Sequence, residues 1–104
     1  MLLHIERREA SREVTLIGEA DAASAPELQI ALNDLSPDGD VVIDVTDLEF
    51  LDAAGLRVIL RSAERVSGEV FLRSPRGIVR RLLETAGVGS SGNLRVISAG
   101  SPAG

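Results

Sequence analysis

The sequence predicts a single α/β domain built on a mixed, mostly parallel sheet, with an N-terminal edge hairpin and about three helices. Three observations carry that prediction. Strand-like and helix-like segments alternate after Val41, and right-handed crossovers then make the sheet largely parallel. Val41 to Val45 is almost continuously β-branched, as expected of a central covered strand. Before Val41, two short strand-like segments separated by a polar turn form a hairpin. At 104 residues there is length for one modest core. Residues 1–98 form the expected domain and 99–104 a short flexible tail.

The elements follow in order. Leu3 and Ile5 alternate with His4 and Glu6, a half-buried strand. Val14 to Ile17 is its hairpin partner, and Gly18 is expected to end it. Ser24-Ala25-Pro26-Glu27 has the form of a capping box, with proline tolerated in the first turn. Leu28, Ala31, Leu32 and Leu35 then recur at helical spacing. Ser36 to Gly39 is a turn leading into the Val41 strand. A short acidic loop precedes a second helix, from Ala53 to about Val66, with Leu56, Ile59, Leu60 and Ala63 inward and Arg57, Arg61, Glu64 and Arg65 toward solvent. Ser67-Gly68 stops it. Val70 to Leu72 is a strand. Pro75 to Ala86 is a third helix burying Ile78, Val79, Leu82 and Leu83, with Ser74 at its N-cap and Gly87 as its stop. Leu94 to Ile97 is the last strand.

The stretch from Val41 to Leu60 carries the candidate site. Asp52 falls where a helix N-cap belongs, so its carboxylate can accept backbone N–H groups and meet the positive end of the helix dipole. Gly55 allows close approach to the first turn. An ordinary cap and a binding role are both compatible with Asp52, and Asp21 reads as a loop carboxylate or a cap of the first helix. A nucleophile, metal ligand set or phosphate loop is missing from this pattern.

Asp52-Ala53-Ala54-Gly55-Leu56 after an aliphatic strand resembles the Asp-Ser-x-Gly-Leu helix start of the STAS domain of bacterial anti-sigma factor antagonists. Leu16 to Asp21 is similar to that family's strand followed by Gly-Glu-x-Asp. Ser74-Pro75, then Arg80 to Leu83 and Gly87, resembles its Ser-Pro…Arg-x-Leu…Gly segment. The likeness runs over residues 2 to 98. It implies a STAS-like fold and a partner, a kinase-like anti-sigma factor whose capture releases a sigma factor. It implies a docking face made of the Gly18–Ser24 loop, the Asp47–Leu51 loop and the start of the second helix. On that face Asp21 and Asp52 supply charge, Leu51 and Leu56 supply apolar contact, and Ala53, Ala54 and Gly55 form the helix start. The resemblance also places Asp21 close to Asp52. In the family the residue after the aspartate is the serine that the partner phosphorylates. Here it is Ala53, which has no hydroxyl, so an antagonist not switched at that position is expected. The alternative is a regulatory or scaffold STAS subunit of a lipid-transport or stress-signalling complex.

Composition narrows the rest. A net charge of -5 disfavours a nucleic-acid backbone as partner, and two phenylalanines as the whole aromatic content give no base-stacking platform. The basic residues are all arginine. Without cysteine there are no disulfides, thiol catalysis or Cys-based zinc sites. His4 stands alone on an edge strand, so no enzyme activity, metal or cofactor is expected. The N-terminus lacks an apolar signal core and no run suits a membrane span, which points to a cytoplasmic protein with no membrane partner. The edge strand permits a monomer or a weak dimer.

Overall fold

The computed structural model describes residues 2–8, 10–90 and 92–98; the tail expected at 99–104 lies outside them. The elements are β1 (Leu3–Arg8), β2 (Glu13–Ala20), α1 (Ala25–Asn33), β3 (Val41–Asp44), β4 (Leu48–Leu51), α2 (Ala53–Arg65), β5 (Val70–Arg73), α3 (Gly77–Thr85) and β6 (Leu94–Ile97). The sheet runs β1-β2-β3-β5-β6. Among the described residues only the β1–β2 hairpin is antiparallel, and it occupies one edge, as the sequence predicts.

Alternation decides which face is covered. Val14, Leu16, Val41, Ile43, Val70, Leu72 and Leu94 form one cluster with Leu28 and Leu32 of α1, Ile59 and Ala63 of α2, and Val79 and Leu83 of α3. The intervening positions, including Glu13, Thr15, Val42, Asp44, Phe71 and Arg73, are half-buried on the other face. The result is a two-layer domain with its core between sheet and helices.

Several expectations need correction. Gly18 does not end β2. It has φ of 105°, and the pairing register of β2 shifts between Gly18 and Glu19, after which the strand continues to Ala20. A Cβ at Gly18 would lie 2.3 Å from the Leu2 carbonyl oxygen, so a bulge at this point requires glycine. The extension of β2 creates a second pairing site. Its first half pairs with β3, and its second half pairs in parallel with Leu48–Leu51, so the expected acidic loop contains a strand.

The expected Ser24–Glu27 capping box does not form. Ser24 sits at the N-cap in a helical conformation with no side-chain cap bond. The reciprocal pair forms one turn earlier instead. The Asp21 N–H donates to Ser24 Oγ at 3.0 Å, and the Ser24 N–H donates to Asp21 Oδ1 at 3.1 Å. In α2, Leu60 is 40% exposed, and Val58 and Ser62 are buried with Ile59. Arg65 is exposed, yet its Nη2 donates to the carbonyls of Leu32, Asn33 and Leu35, supplying cation and donor to the C-terminal end of α1. The third helix starts at Gly77 with Arg76 as N-cap; buried Ser74 takes a positive φ of 61°, and Ile78 is 55% exposed. The helix begins two residues later than expected, and with Val79 and Leu83 turned to the core, Ile78, about 100° around the helix from Val79, faces outward.

An ionic cluster ties three strands on the half-buried face. Arg73 of β5 donates to Asp44 of β3 at 2.8 Å and also to Glu13 of β2. Desolvation pushes the Asp44 carboxyl upward, but hydrogen bonds from Thr46 and Arg73 outweigh it and hold the group below its ordinary value of 3.8. A depressed folded-state pKa stabilises the fold fully above the unfolded value and loses that contribution as pH falls through the folded one. The urea midpoint of the wild type is therefore expected to drop on acidification below about pH 4, and less so in Asp44→Asn. Equal acid sensitivity in both proteins rules out Asp44 as the source. Asp21 shifts the same way, chiefly through the Ser24 N–H, so the variant retains part of the effect.

Candidate functional site

Two strand ends and a helix start build the site. The Asp52 N–H donates to the Ala20 carbonyl at 3.2 Å, which fastens the beginning of α2 to the end of β2. This brings the residue after β2, Asp21, to the same corner as Asp52, in keeping with the sequence expectation. Asp52 is extended, with φ of -113°, and its Oδ1 accepts the Gly55 N–H at 3.0 Å. Its carbonyl accepts the Leu56 N–H at 2.9 Å. Asp52 is therefore the N-cap that the sequence predicts, and it orients the first turn of α2.

Burial sorts the remaining candidates. Ala53 is exposed and Ala54 half-exposed, so their methyl groups form the outer surface of the helix start. Gly55 is buried: a Cβ would lie 2.5 Å from the Ala20 carbonyl oxygen and 2.8 Å from Leu51 Cδ1. Leu51 and Leu56 are only 4% and 7% exposed. They were expected to offer apolar contact, but both pack inward, because β4 and α2 close against β2 at this point. Their contribution is to support the face from beneath.

Beside the helix start, a groove of about 280 Å3 runs between α1 and α2. Ala22, Ala25 and Ala54 give it small walls, with Gln29, Arg57 and Arg61 along its rim. Sequence reasoning assigned both arginines to plain solvent. The available signal was their i,i+4 spacing on the turns directly after Ala53, with no acidic residue in that first turn. A second cleft, of about 420 Å3, lies between the β3–β4 turn and the start of α3, lined by Ile17, Thr46, Glu49, Arg76 and Ile78 among others.

Among the described residues, no group of three or more His, Cys, Asp or Glu is placed to hold a metal ion. His4 lies exposed on β1 with Glu6 as its neighbour at 3.1 Å. Among the described residues, no helix is long and apolar enough to cross a membrane.

Comparison with known proteins agrees with this architecture. The fold is similar to that of an anti-sigma factor antagonist from Mycobacterium paratuberculosis, with a TM-score of 0.71 and 24% identity, covering 90% of this chain and 84% of that one. A Thermotoga maritima protein superposes with a TM-score of 0.70 at 19% identity, over 95% of this chain and 88% of its own. The anti-sigma factor antagonist SpoIIAA, in its unphosphorylated form, gives 0.56 at 18% identity, over 80% and 82%. At these identities the likeness is one of fold. A search of curated proteins returns no match. The family model described as Mlab, STAS domain, matches residues 3–96. That span runs from the first strand into the last, and the chain belongs to the STAS domain family.

Proposed function

We infer that this protein is an anti-sigma factor antagonist: a cytoplasmic binding module that captures a kinase-like anti-sigma factor through the corner of Asp21, Asp52, Ala53 and Ala54, and so releases a sigma factor. The observation that carries this reading is the exposed Ala53–Ala54 helix start, held by the Asp52 cap on a STAS fold. Two of the similar structures are of anti-sigma factor antagonists, which adds support. Ala53 cannot accept phosphate, so the protein is constitutively competent and governed by its amount or by another signal. The edge strand β1 exposes His4, Glu6, Arg7 and Arg8, which discourages edge-to-edge pairing and favours a monomer.

The test is affinity capture from the source organism with tagged wild type and Ala53→Glu, read by mass spectrometry. Ala53 is exposed at the first helical position, where a carboxylate suits the helix dipole, so the variant keeps its fold. An anti-sigma factor captured by the wild type and depleted roughly tenfold by the variant supports the reading. Failure of an anti-sigma factor to appear with the wild type sinks it. Transport ATPase or permease subunits in its place favour a regulatory or scaffold role in a lipid-transport complex, a reading consistent with a face lacking a phosphate acceptor. With the captured anti-sigma factor and ATP, Ala53→Ser is expected to take up phosphate at the restored hydroxyl and the wild type is not. Labelling of the wild type at another hydroxyl, such as Thr46 before β4, would contradict an unswitched antagonist.

A further inference from the structure

We propose that the groove between α1 and α2 receives an acidic segment of the protein partner, clamped by Arg57 and Arg61. The proposal rests on the docking role of the α2 start and adds the chemistry of what docks. Arg57 and Arg61 lie one helical turn apart, are exposed, and line the same groove. Neither makes an ion pair or side-chain hydrogen bond among the described residues. Arg12 is engaged with the carbonyls of Ser36 and Asp40, Arg65 with the end of α1, Arg73 with Asp44 and Glu13, Arg80 with Glu84, and Arg95 with Glu69, whereas Arg8, Arg76 and Arg81 are as open as the pair but do not share a groove between helices. No carboxylate lines the groove. Like charges at i,i+4 weaken a helix slightly, so the pair gains the fold nothing.

The setting also fits a carboxylate ligand. Ala53, Arg57 and Arg61 fall on one line of α2, so two guanidinium groups continue the face that begins at the exposed helix start. This is a basic strip on a chain of net charge -5. The walls of Ala22, Ala25 and Ala54 let a backbone lie close, and guanidinium forks bind carboxylates in bidentate fashion. A helical occupant with two carboxylates three or four residues apart, or an extended one with carboxylates two apart, matches the arginine spacing.

The test does not need the natural partner. A display library of random 16-residue peptides is selected on the wild-type chain, and the enriched peptides are measured against Arg57→Glu/Arg61→Glu and against Arg81→Glu, a surface control on α3. Both reversals are at exposed positions, and thermal melting verifies that each variant is folded. The expected result is enrichment of peptides with paired Asp or Glu that bind the double variant roughly tenfold or more weakly and Arg81→Glu unchanged. No enrichment of acidic peptides, or equal binding to the double variant, overturns the proposal. That outcome is separate from the capture experiment. An anti-sigma factor that binds wild type and the double variant alike leaves the antagonist reading standing and removes the acidic clamp.

Discussion

Ile43→Ala is expected to destabilise the domain by about 2–5 kcal/mol, the range for emptying a fully buried aliphatic site. Ile43 has no exposure and sits in the middle of β3, opposite Val14 of β2 and Leu72 of β5, both also without exposure. Strands on both sides and helices above leave little freedom for the neighbours to collapse into the space. A domain of this size has roughly 5–15 kcal/mol of stability in all, so a large part is at stake. Thermal melting should fall by roughly 10–20 °C. Ile43→Val, which removes one methyl, is expected to cost only about 0.5–1.5 kcal/mol. Ile30→Ala on α1 is the control: Ile30 is 69% exposed, and its replacement should be close to neutral. Equal losses at Ile43 and Ile30 would mean that the core does not lie between the sheet and the helices.

What was legible in the sequence was local chemistry. Asp52 was readable as a cap because an extended carboxylate residue before a helix satisfies N–H groups three residues away, and the next four residues contain all that is needed. The strand at Val41 was readable because β-branched residues suit a covered parallel strand. β4 was not readable. Leu48-Glu49-Phe50-Leu51 has no β-branched residue, and it becomes a strand only because the bulge at Gly18 lets β2 continue far enough to pair with it. The Ser24–Glu27 box was readable and wrong, because Asp21 offers the same reciprocal bonds to Ser24 one turn earlier. The spacing of α2 places Leu56, Ile59, Leu60 and Ala63 inward, and all but Leu60 are buried. Gly55 must face the Ala20 carbonyl, and that contact turns Val58 and Ser62 inward while Leu60 rotates toward solvent. The same rotation puts Arg57 and Arg61 on the groove rim, which no count of charges along the chain could show.

Gly55→Val should therefore cost both stability and binding. In an ordinary helix, replacing glycine gains up to about 1 kcal/mol from propensity. Here the new Cβ would lie 2.5 Å from the Ala20 carbonyl oxygen and 3.1 Å from its carbon, both backbone atoms that a rotamer change cannot relieve. Overpacking of this kind typically costs about 1–3 kcal/mol, and the same Cβ would lie 2.8 Å from Leu51 Cδ1. The Ala20 carbonyl also holds the Asp52 N–H, so the displacement loosens the tie between β2 and α2. A cap whose carboxylate must reach the Gly55 N–H moves with it. The expected result is a lower urea midpoint at unchanged slope, together with weaker capture of the partner by whatever folded protein remains. Arg81→Gly separates the two effects. It is exposed in the middle of α3, away from the corner, costs about 0.5–1 kcal/mol through backbone entropy, and leaves the contact with Ala20 untouched. If Gly55→Val proves as mild as Arg81→Gly, the close seating of α2 on the end of β2 is not what sets the binding corner.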